Sequence, residues 1–321
     1  MSLSGQLRRL GIETSGRNLS MINGKIYAQN IVVPYGRNWY VNPNQASSRH
    51  GKDWENAFTT MEEAFDAIAS GDRIFFVGNI REQLTTPTGA ADITIVGAGP
   101  RPRHADTHPL NGELAASTWK LPASGGTNVP MLIVRNPGWR IANVLFAAHA
   151  SNYALRLDRT ADEDATEQDA SHLQVLGCRF ASGGGGISDV GGTFNVLVED
   201  CWFQALTVAC ILGVGNIGVG QLMWHIKNNH FNNFTNGVKI AAHECLIKGN
   251  FFTDGGTPTS TFVLNTNNGG GRDNFVVDNY FQVATANFNS PDIVGCATDV
   301  WNNTSIDGEV GFIGREVGVP A

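Results

Sequence analysis

Charge is what this chain is short of. Asp, Glu, Lys and Arg make up only 16% of its 321 residues, and their formal balance is −7. No basic stripe offsets that balance, and the RPR run at 101–103 is too short to make one, which argues against a nucleic-acid partner. No hydrophobic run approaches membrane-spanning length, so insertion into a bilayer is not expected. The opening residues, MSLSGQLRRLGIE, carry no apolar core of a signal peptide, and without one the sequons at Asn18, Asn233 and Asn302 carry no information. The five cysteines form no CxxC pair and no His/Cys cluster at zinc spacing, so no metal or other cofactor is implied.

What the chain does have is glycine, 38 residues of it, and a short unit that recurs. The unit reads LQVLGCRF at 173–180, VLVEDCWF at 196–203, WHIKNNHF at 224–231, CLIKGNFF at 245–252 and NFVVDNYF at 274–281, with a weaker copy, WRIANVLF, at 139–146. Each copy has a usually apolar residue, a spacer, an apolar residue, two spacers, a Cys or Asn (Val in the weak copy), one spacer and then Phe. Successive copies begin 34, 23, 28, 21 and 29 residues apart. A short strand recurring at about 20–30 residues, with no helical pattern between copies, is the signature of a coiled β solenoid.

One coil cannot bury its inward face alone. Stacked coils lie about 4.8 Å apart, so equivalent side chains form columns along the axis. Phe146, Phe180, Phe203, Phe231, Phe252 and Phe281 are expected as a column of rings inside. Asn229, Asn250 and Asn279 are expected as an amide ladder at a turn, with Cys178 and Cys201 replacing Asn where the column becomes apolar. A β-sandwich with Phe-rich strands has no reason to repeat the Asn-x-Phe pair in register. Cys178, Cys201 and Cys245 read as buried small side chains. A Cys178–Cys201 disulfide between adjacent coils is conceivable, although in-register parallel strands rarely orient two sulfurs well.

Residues 1–36 do not fit the repeat and read as a short polar, strand-forming arm. Trp39-Tyr40-Val41 reads as a strand. Thr59 or Thr60, with Glu62 or Glu63 three residues on, makes a capping box. Met61, Ala64, Phe65 and Ile68 then share one face, so a helix is predicted at about 59–70, with Gly71 placed to end it. Strands at 74–77 and 92–96 follow. Such a helix suits a plug for the open end of a solenoid. Second strands are predicted at 153–157, 209–212, 237–241 and 261–264. The longest loops are 158–171, 213–221 and 265–273, and 308–321 forms a tail.

This opening, WYVNP…GKDWENAFTTMEEAFDAIASGDRIFFVGNIRE…DITIVGAG, resembles that of the pectate-lyase-like superfamily of right-handed parallel β-helix proteins. It is especially similar to phage virion proteins and secreted β-helix proteins. The resemblance covers about residues 37–307. It implies an all-β fold, a right-handed parallel β-helix with a short N-terminal capping helix. It implies no single activity, because the superfamily includes lyases, hydrolases, epimerases, tailspikes and plain structural proteins.

Motifs for chemistry are sparse. Gly213-Val214-Gly215-Asn216-Ile217-Gly218 matches a dinucleotide fingerprint, but a repeat strand follows it where a helix is needed. The acidic loop with Asp158, Asp162, Glu163, Asp164, Glu167 and Asp169 lacks the ordered spacing of a calcium loop and reads as solvated. The alternating residues of the repeat form two outward columns. One is Arg140, Gln174, Leu197, His225, Leu246 and Phe275; the other is Ala142, Leu176, Glu199, Lys227, Lys248 and Val277. Glu199, His225, Lys227 and Lys248 are the catalytic candidates, since a polysaccharide lyase needs a base near the sugar carbon and a positive partner for the uronate carboxylate. The alternative is a surface salt ladder. A glycosidase needs two carboxylates at a set separation, and neighbouring Glu199 and Asp200 are expected on opposite sides of a strand or at a turn. Leu176, Leu197, Leu246, Phe275 and Val277 make the outer face apolar and are candidates for a subunit interface, two further copies around a threefold axis.

The expectation is therefore a homotrimeric virion protein, a tailspike or short tail fibre. It would be joined to other tail or capsid proteins through the N-terminal arm and would bind host-surface polysaccharide. The alternatives are a polysaccharide lyase or glycoside hydrolase, and a head-decoration or adaptor protein without a ligand.

Overall fold

The computed structural model describes residues 19–22, 25–28, 36–99, 102, 117–122, 128–159, 169–213, 221–253, 261–265, 274–281, 293–294, 300–301 and 304–305. Two compact units are present, Met1–Tyr35 and Gly36–Ala321. In the first, Leu19–Ile22 and Lys25–Ala28 pair as an antiparallel hairpin. The second is a right-handed parallel β-helix, the hand that parallel crossovers take almost without exception.

Ten parallel strands form the first sheet, from Asn38–Val41 through Arg73–Phe76, Thr94–Gly97, Arg140–Ala142, Gln174–Leu176, Leu197–Glu199, His225–Lys227, Leu246–Lys248 and Phe275–Val277 to Val300–Trp301. All six copies of the unit lie in one register. Their Phe-bearing ends form the second stack, and Leu132–Val134, Tyr153–Leu157, Asn236–Ile240, Thr261–Asn265 and Ile293–Val294 belong to the third. The second and third stacks are one fifteen-stranded sheet because Arg179–Asp189 and Trp202–Gly213 run through the corner between them. The strand predicted at 209–212 is thus the end of a longer one. Ser182, Gly183 and Ala205 take positive φ, and a bulge falls between Gly183 and Gly185, so these strands bend without leaving the ladder.

The Phe column is inside, each ring at most 1% exposed. Consecutive centroids from Phe146 to Phe281 lie 5.3, 4.7, 4.9, 4.5 and 5.0 Å apart, with planes within 12° of parallel. Coil spacing of about 4.8 Å exceeds ring thickness, and an offset stack fills that gap while avoiding the unfavourable face-to-face sandwich.

The Asn ladder is continuous. Asn250 Oδ1 accepts from the backbone N–H and Nδ2 of Asn229, at 2.9 and 3.0 Å, and Asn279 Oδ1 accepts the same pair from Asn250 at 2.9 Å each. Each Nδ2 also donates to a first-sheet carbonyl one coil back: Asn229 to Val198, Asn250 to Ile226, Asn279 to Ile247. The cysteines correct the expectation that the column turns apolar. Cys201 Sγ reaches the Val175 carbonyl at 3.5 Å and Cys178 Sγ the Ile141 carbonyl at 3.6 Å, the equivalent contacts. The sulfurs are weak rungs of the same ladder.

The residue before each rung, Asn143, Gly177, Asp200, Asn228, Gly249 or Asp278, has φ between 54° and 65°. Only Gly, Asn and Asp occupy this left-handed corner, the types that enter it most readily. Asp200 is accordingly at a turn. The opposite end of the strand has the same conformation at His172, Asn195, Met223 and Glu244. Met223 is 44% exposed with φ 55°, a strained place for an unbranched apolar residue. Met223→Gly is expected to raise stability by about 1 kcal/mol, the smaller end of the left-handed penalty net of glycine's greater unfolded-state entropy. The urea midpoint of the variant measures this.

The capping helix is Met61–Ala67, shorter than predicted because Ile68 is already extended. Thr60 and Glu63 form the capping box, and Met61, Ala64 and Phe65 are buried, Phe65 edge-on to Trp139 at 5.7 Å. Residues 160–168, 214–220 and 308–321, with the rest of the acidic loop, the Gly-rich loop and the tail, lie outside the described residues.

Candidate functional site

The first sheet brings the four catalytic candidates onto consecutive strands. Glu199, Lys227 and Lys248 are in register in one outward column, and His225 stands in the other, between Leu197 and Leu246. The charges are engaged: Lys227 Nζ lies 3.5 Å from Glu199 Oε1, and Lys248 Nζ lies 3.3 Å from Asp278 Oδ2. Asn228 Nδ2 donates to Glu199 Oε1 as well, at 3.4 Å. Glu199, Lys227, Lys248 and Asp278 form two ion pairs along this half-exposed sheet face, and His225, the remaining candidate, joins neither. Glu199→Ala or Lys227→Ala is therefore expected to shift unfolding by less than about 1 kcal/mol, as exposed pairs do. A double-mutant cycle by urea denaturation reads the coupling, and several kcal/mol would mean a site more constrained than a salt ladder.

Of the interface candidates, Leu176, Leu197 and Leu246 are half-buried and Phe275 is 38% exposed. Val277 is a correction. It is only 5% exposed, in a strand paired onward to Val300–Trp301, and offers no free surface.

A second feature went unread in the sequence. The seventh position of the unit, treated as a spacer, points outward on the second stack as Arg179, Trp202, His230, Phe251 and Tyr280. The Arg179 guanidinium lies 5.4 Å from the Trp202 ring centroid. Trp202 stacks on His230 at 4.7 Å, His230 meets Phe251 edge-on at 5.1 Å, and Phe251 stacks on Tyr280 at 4.3 Å within 2° of parallel. Beside this ladder runs a polar row. Arg179 Nη2 donates to Gln204 Oε1, and Asn232 Nδ2 to Thr253 Oγ1 at 2.9 Å. Thr253 Oγ1 also lies 3.3 Å from the Phe231 carbonyl and 2.9 Å from His230 Nε2, where the tautomer of the imidazole sets which group donates. Ring faces within the ladder are largely occupied by neighbouring rings. A sugar, which stacks on an open aromatic face, meets mostly ring edges there.

The third stack corrects the reading of the acidic loop. Asp158 is 5% exposed and lies between two guanidinium groups, Arg156 Nε at 2.5 Å and Arg135 Nε at 3.3 Å. It is a buried paired carboxylate at the end of a strand. Asp189 is also buried, accepting from Gln221, Thr193 and Gly191, and burial raises its pKa. Burial likewise holds the Cys201 and Cys210 thiols well above their ordinary range, so both are neutral and unreactive. The four described cysteines are free and buried. Among the described residues, no group of three His, Cys, Asp or Glu is placed to hold a metal ion.

No protein-family model matches the chain, and no curated protein is similar to it in sequence. Solved β-helix structures are similar to it in shape. Pectate lyase Pel9A aligns at 14% identity with a TM-score of 0.42, over 84% of this chain and 72% of that one. A rhamnogalacturonan lyase aligns at 12% identity and 0.35, over 84% and 87%. ORF18 of Geobacillus virus E2 aligns at 13% and 0.28, over 91% of this chain and 55% of its own. What fixes the fold is the strand register itself.

The described faces hold two ion pairs, a closed ring ladder and a buried carboxylate between arginines. His225 is exposed on the first-sheet face and stands outside both ion pairs.

Proposed function

We propose that this β-helix is a non-catalytic, self-associating virion protein of a bacteriophage, a tailspike or short tail fibre that contacts host-surface polysaccharide. The observation that supports the non-catalytic part is the pairing of Glu199 with Lys227 and of Lys248 with Asp278, which leaves His225, between Leu197 and Leu246, as the one catalytic candidate outside an ion pair. The resemblance of the 37–99 opening to phage virion proteins supports the particle context, and the apolar outer residues support assembly with further copies. Loops leaving a rigid solenoid are where specificity for a glycan is usually carried.

A second reading, a polysaccharide lyase, is favoured by one feature: Lys227 and Lys248 are register neighbours, and a substrate carboxylate competing for either lysine would free a base. Purified protein incubated with acidic polysaccharides separates the two. The proposal expects no rise in unsaturated-uronate absorbance and no new reducing ends, together with retention of the protein on a glycan of its host. Either product, abolished by Lys227→Ala or Glu199→Ala, would establish the lyase or hydrolase reading instead.

A further inference from the structure

The second stack carries a row of outward residues that neither the ring ladder nor the ion pairs use. It lies two positions beyond the ladder on each strand. Register sets Arg81, Lys120, Ala147, Ala181, Gln204 and Asn232 over one another. Along the axis the row is first a pair of cations, then a floor of two partly exposed alanines, then a pair of amides.

Arg81 and Lys120 are like charges on adjacent strands, about 4.8 Å apart at the backbone, an unfavourable arrangement unless an opposite charge lies between them. Among the described residues no carboxylate does so. Glu82, next to Arg81 in sequence, is engaged with the capping helix, where it accepts from the backbone N–H groups of Met61 and Glu62 at 2.9 and 2.8 Å. Arg81 Nη1 reaches the Leu121 carbonyl at 3.4 Å. Lys120 is partly buried, and burial together with the Arg81 charge holds its ammonium below the ordinary lysine range. The amides at the other end are held in place. Arg179, only 7% exposed and lying over the Trp202 ring, donates through Nη2 to Gln204 Oε1, which leaves the Gln204 Nε2 hydrogens for another acceptor. Asn232 Nδ2 donates to Thr253 Oγ1 at 2.9 Å, which leaves Asn232 Oδ1 as an acceptor. One rung therefore offers donors and the next an acceptor, the two things a sugar hydroxyl uses at once.

We infer that this row binds an anionic glycan laid along the solenoid axis, with a carboxylate or a sulfate or phosphate ester between Arg81 and Lys120, sugar rings over Ala147 and Ala181, and hydroxyl groups on Gln204 and Asn232. The inference rests on the glycan-contact reading above and adds the face that makes the contact and the charge of the ligand. From Arg81 to Asn232 is five coil steps, about 24 Å, a length for an extended chain of several sugars. Charge and amides hold the ligand here, and stacking does not, in keeping with the closed ring faces of the neighbouring ladder. A protein partner would need a pocket for a large buried anchor, and the middle of this row is a flat floor ending at two methyl groups.

The test is isothermal titration of the full chain with hyaluronate oligosaccharides, dextran sulfate and neutral dextran. Binding is expected for hyaluronate, dextran sulfate or both, weakening as salt is raised, and not for dextran. The tighter of the two polyanions tells a carboxylate site from a sulfate-ester site. Arg81→Gln and Lys120→Gln should each weaken the binding by about tenfold or more, the loss that follows removal of a hydrogen bond to a charged group. Lys227→Gln, on the first sheet, should leave it unchanged, and far-UV circular dichroism checks that each variant is folded. A readout on the wild type needs no variant: the bound polyanion should protect Lys120 from acylation and leave Lys248 reactive, as read by mass spectrometry of the digest. Polyanion binding that persists in both folded variants, or that leaves Lys120 unprotected, would overturn this face and leave the glycan-contact reading standing. Dextran binding as tightly as the polyanions would overturn the charge of the ligand. Failure of both polyanions to bind would overturn the site as a whole, whereas the glycan-contact reading falls only if the protein is also not retained on its host's glycan.

Discussion

Asn250→Leu is expected to destabilise the β-helix by about 3–6 kcal/mol, and Asn250→Cys by only about 1–2 kcal/mol, from the 1–3 kcal/mol of each buried group left without a partner. Leucine fits the volume but removes every polar function of the rung. The Asn229 backbone N–H and its Nδ2 lose their acceptor, and the Ile226 carbonyl loses its donor. All sit in a column about 1% exposed, out of reach of water. Cysteine keeps part of the pattern. A thiol at this rung can donate to Ile226 as Cys201 does to Val175 at 3.5 Å. It can also accept a backbone N–H, as Cys245 Sγ does from Trp224 at 3.4 Å. Only the Asn229 Nδ2 contact is left weak. Urea midpoints of the two variants decide the matter, because side-chain volume alone predicts the opposite order. An equal loss from both, or a smaller loss from leucine, would mean that the ladder acts through packing and that its hydrogen bonds contribute little.

The same comparison explains how much of this fold was readable in the residues. Columns that repeat one residue type announce themselves: Phe at the eighth position and Asn at the sixth were placed correctly because a stack of identical groups leaves the same letter at each coil. Other columns are as regular in space and invisible by letter. The fifth position is a left-handed corner filled by Asn, Gly or Asp, three types with one conformational property in common. The seventh is a ladder of the rings of Trp, His, Phe and Tyr with an Arg guanidinium at one end, planar groups that differ in charge and polarity. Grouping residues by backbone tolerance and by ring shape would have exposed both.

Some features were out of reach of any pattern. Met223 and Glu244 take the left-handed conformation because the coil closes there, although neither type favours it. Asp158 reads locally as the first residue of an acidic loop, yet it pairs with Arg135, 23 residues earlier. Unequal loops between coils hide such pairings, since only register places one coil's strand end over another's. The candidate site follows the same division. Its column membership was legible from the alternation of the strand, whereas the pairing of Glu199 with Lys227 and of Lys248 with Asp278 depended on which neighbours the stacking supplied.

Phe231→Ala is expected to be the other severe substitution, with a loss of about 4–6 kcal/mol from the buried ring and its cavity together with its two stacking partners. The ring is fully buried, 4.9 Å from Phe203 and 4.5 Å from Phe252, and Phe234 meets it edge-on at 6.5 Å. Strand register fixes the coil spacing, so the backbone cannot close over the void as a loop could. Phe251, one coil on and outside, is the control. It stacks on Tyr280 at 4.3 Å, closer than any pair in the core column, but is 38% exposed. If burial governs, Phe251→Ala loses about 1–2 kcal/mol, the size of a stacking term plus partial burial; if ring stacking governs, the two variants lose similar amounts. Calorimetry distinguishes them further. Coils contact only their neighbours, so a void in the middle of the column weakens the coupling between the two halves of the solenoid. Phe231→Ala should therefore both lower the midpoint by about 7–10 °C and broaden or split the transition, whereas Phe251→Ala should shift it slightly and keep it sharp.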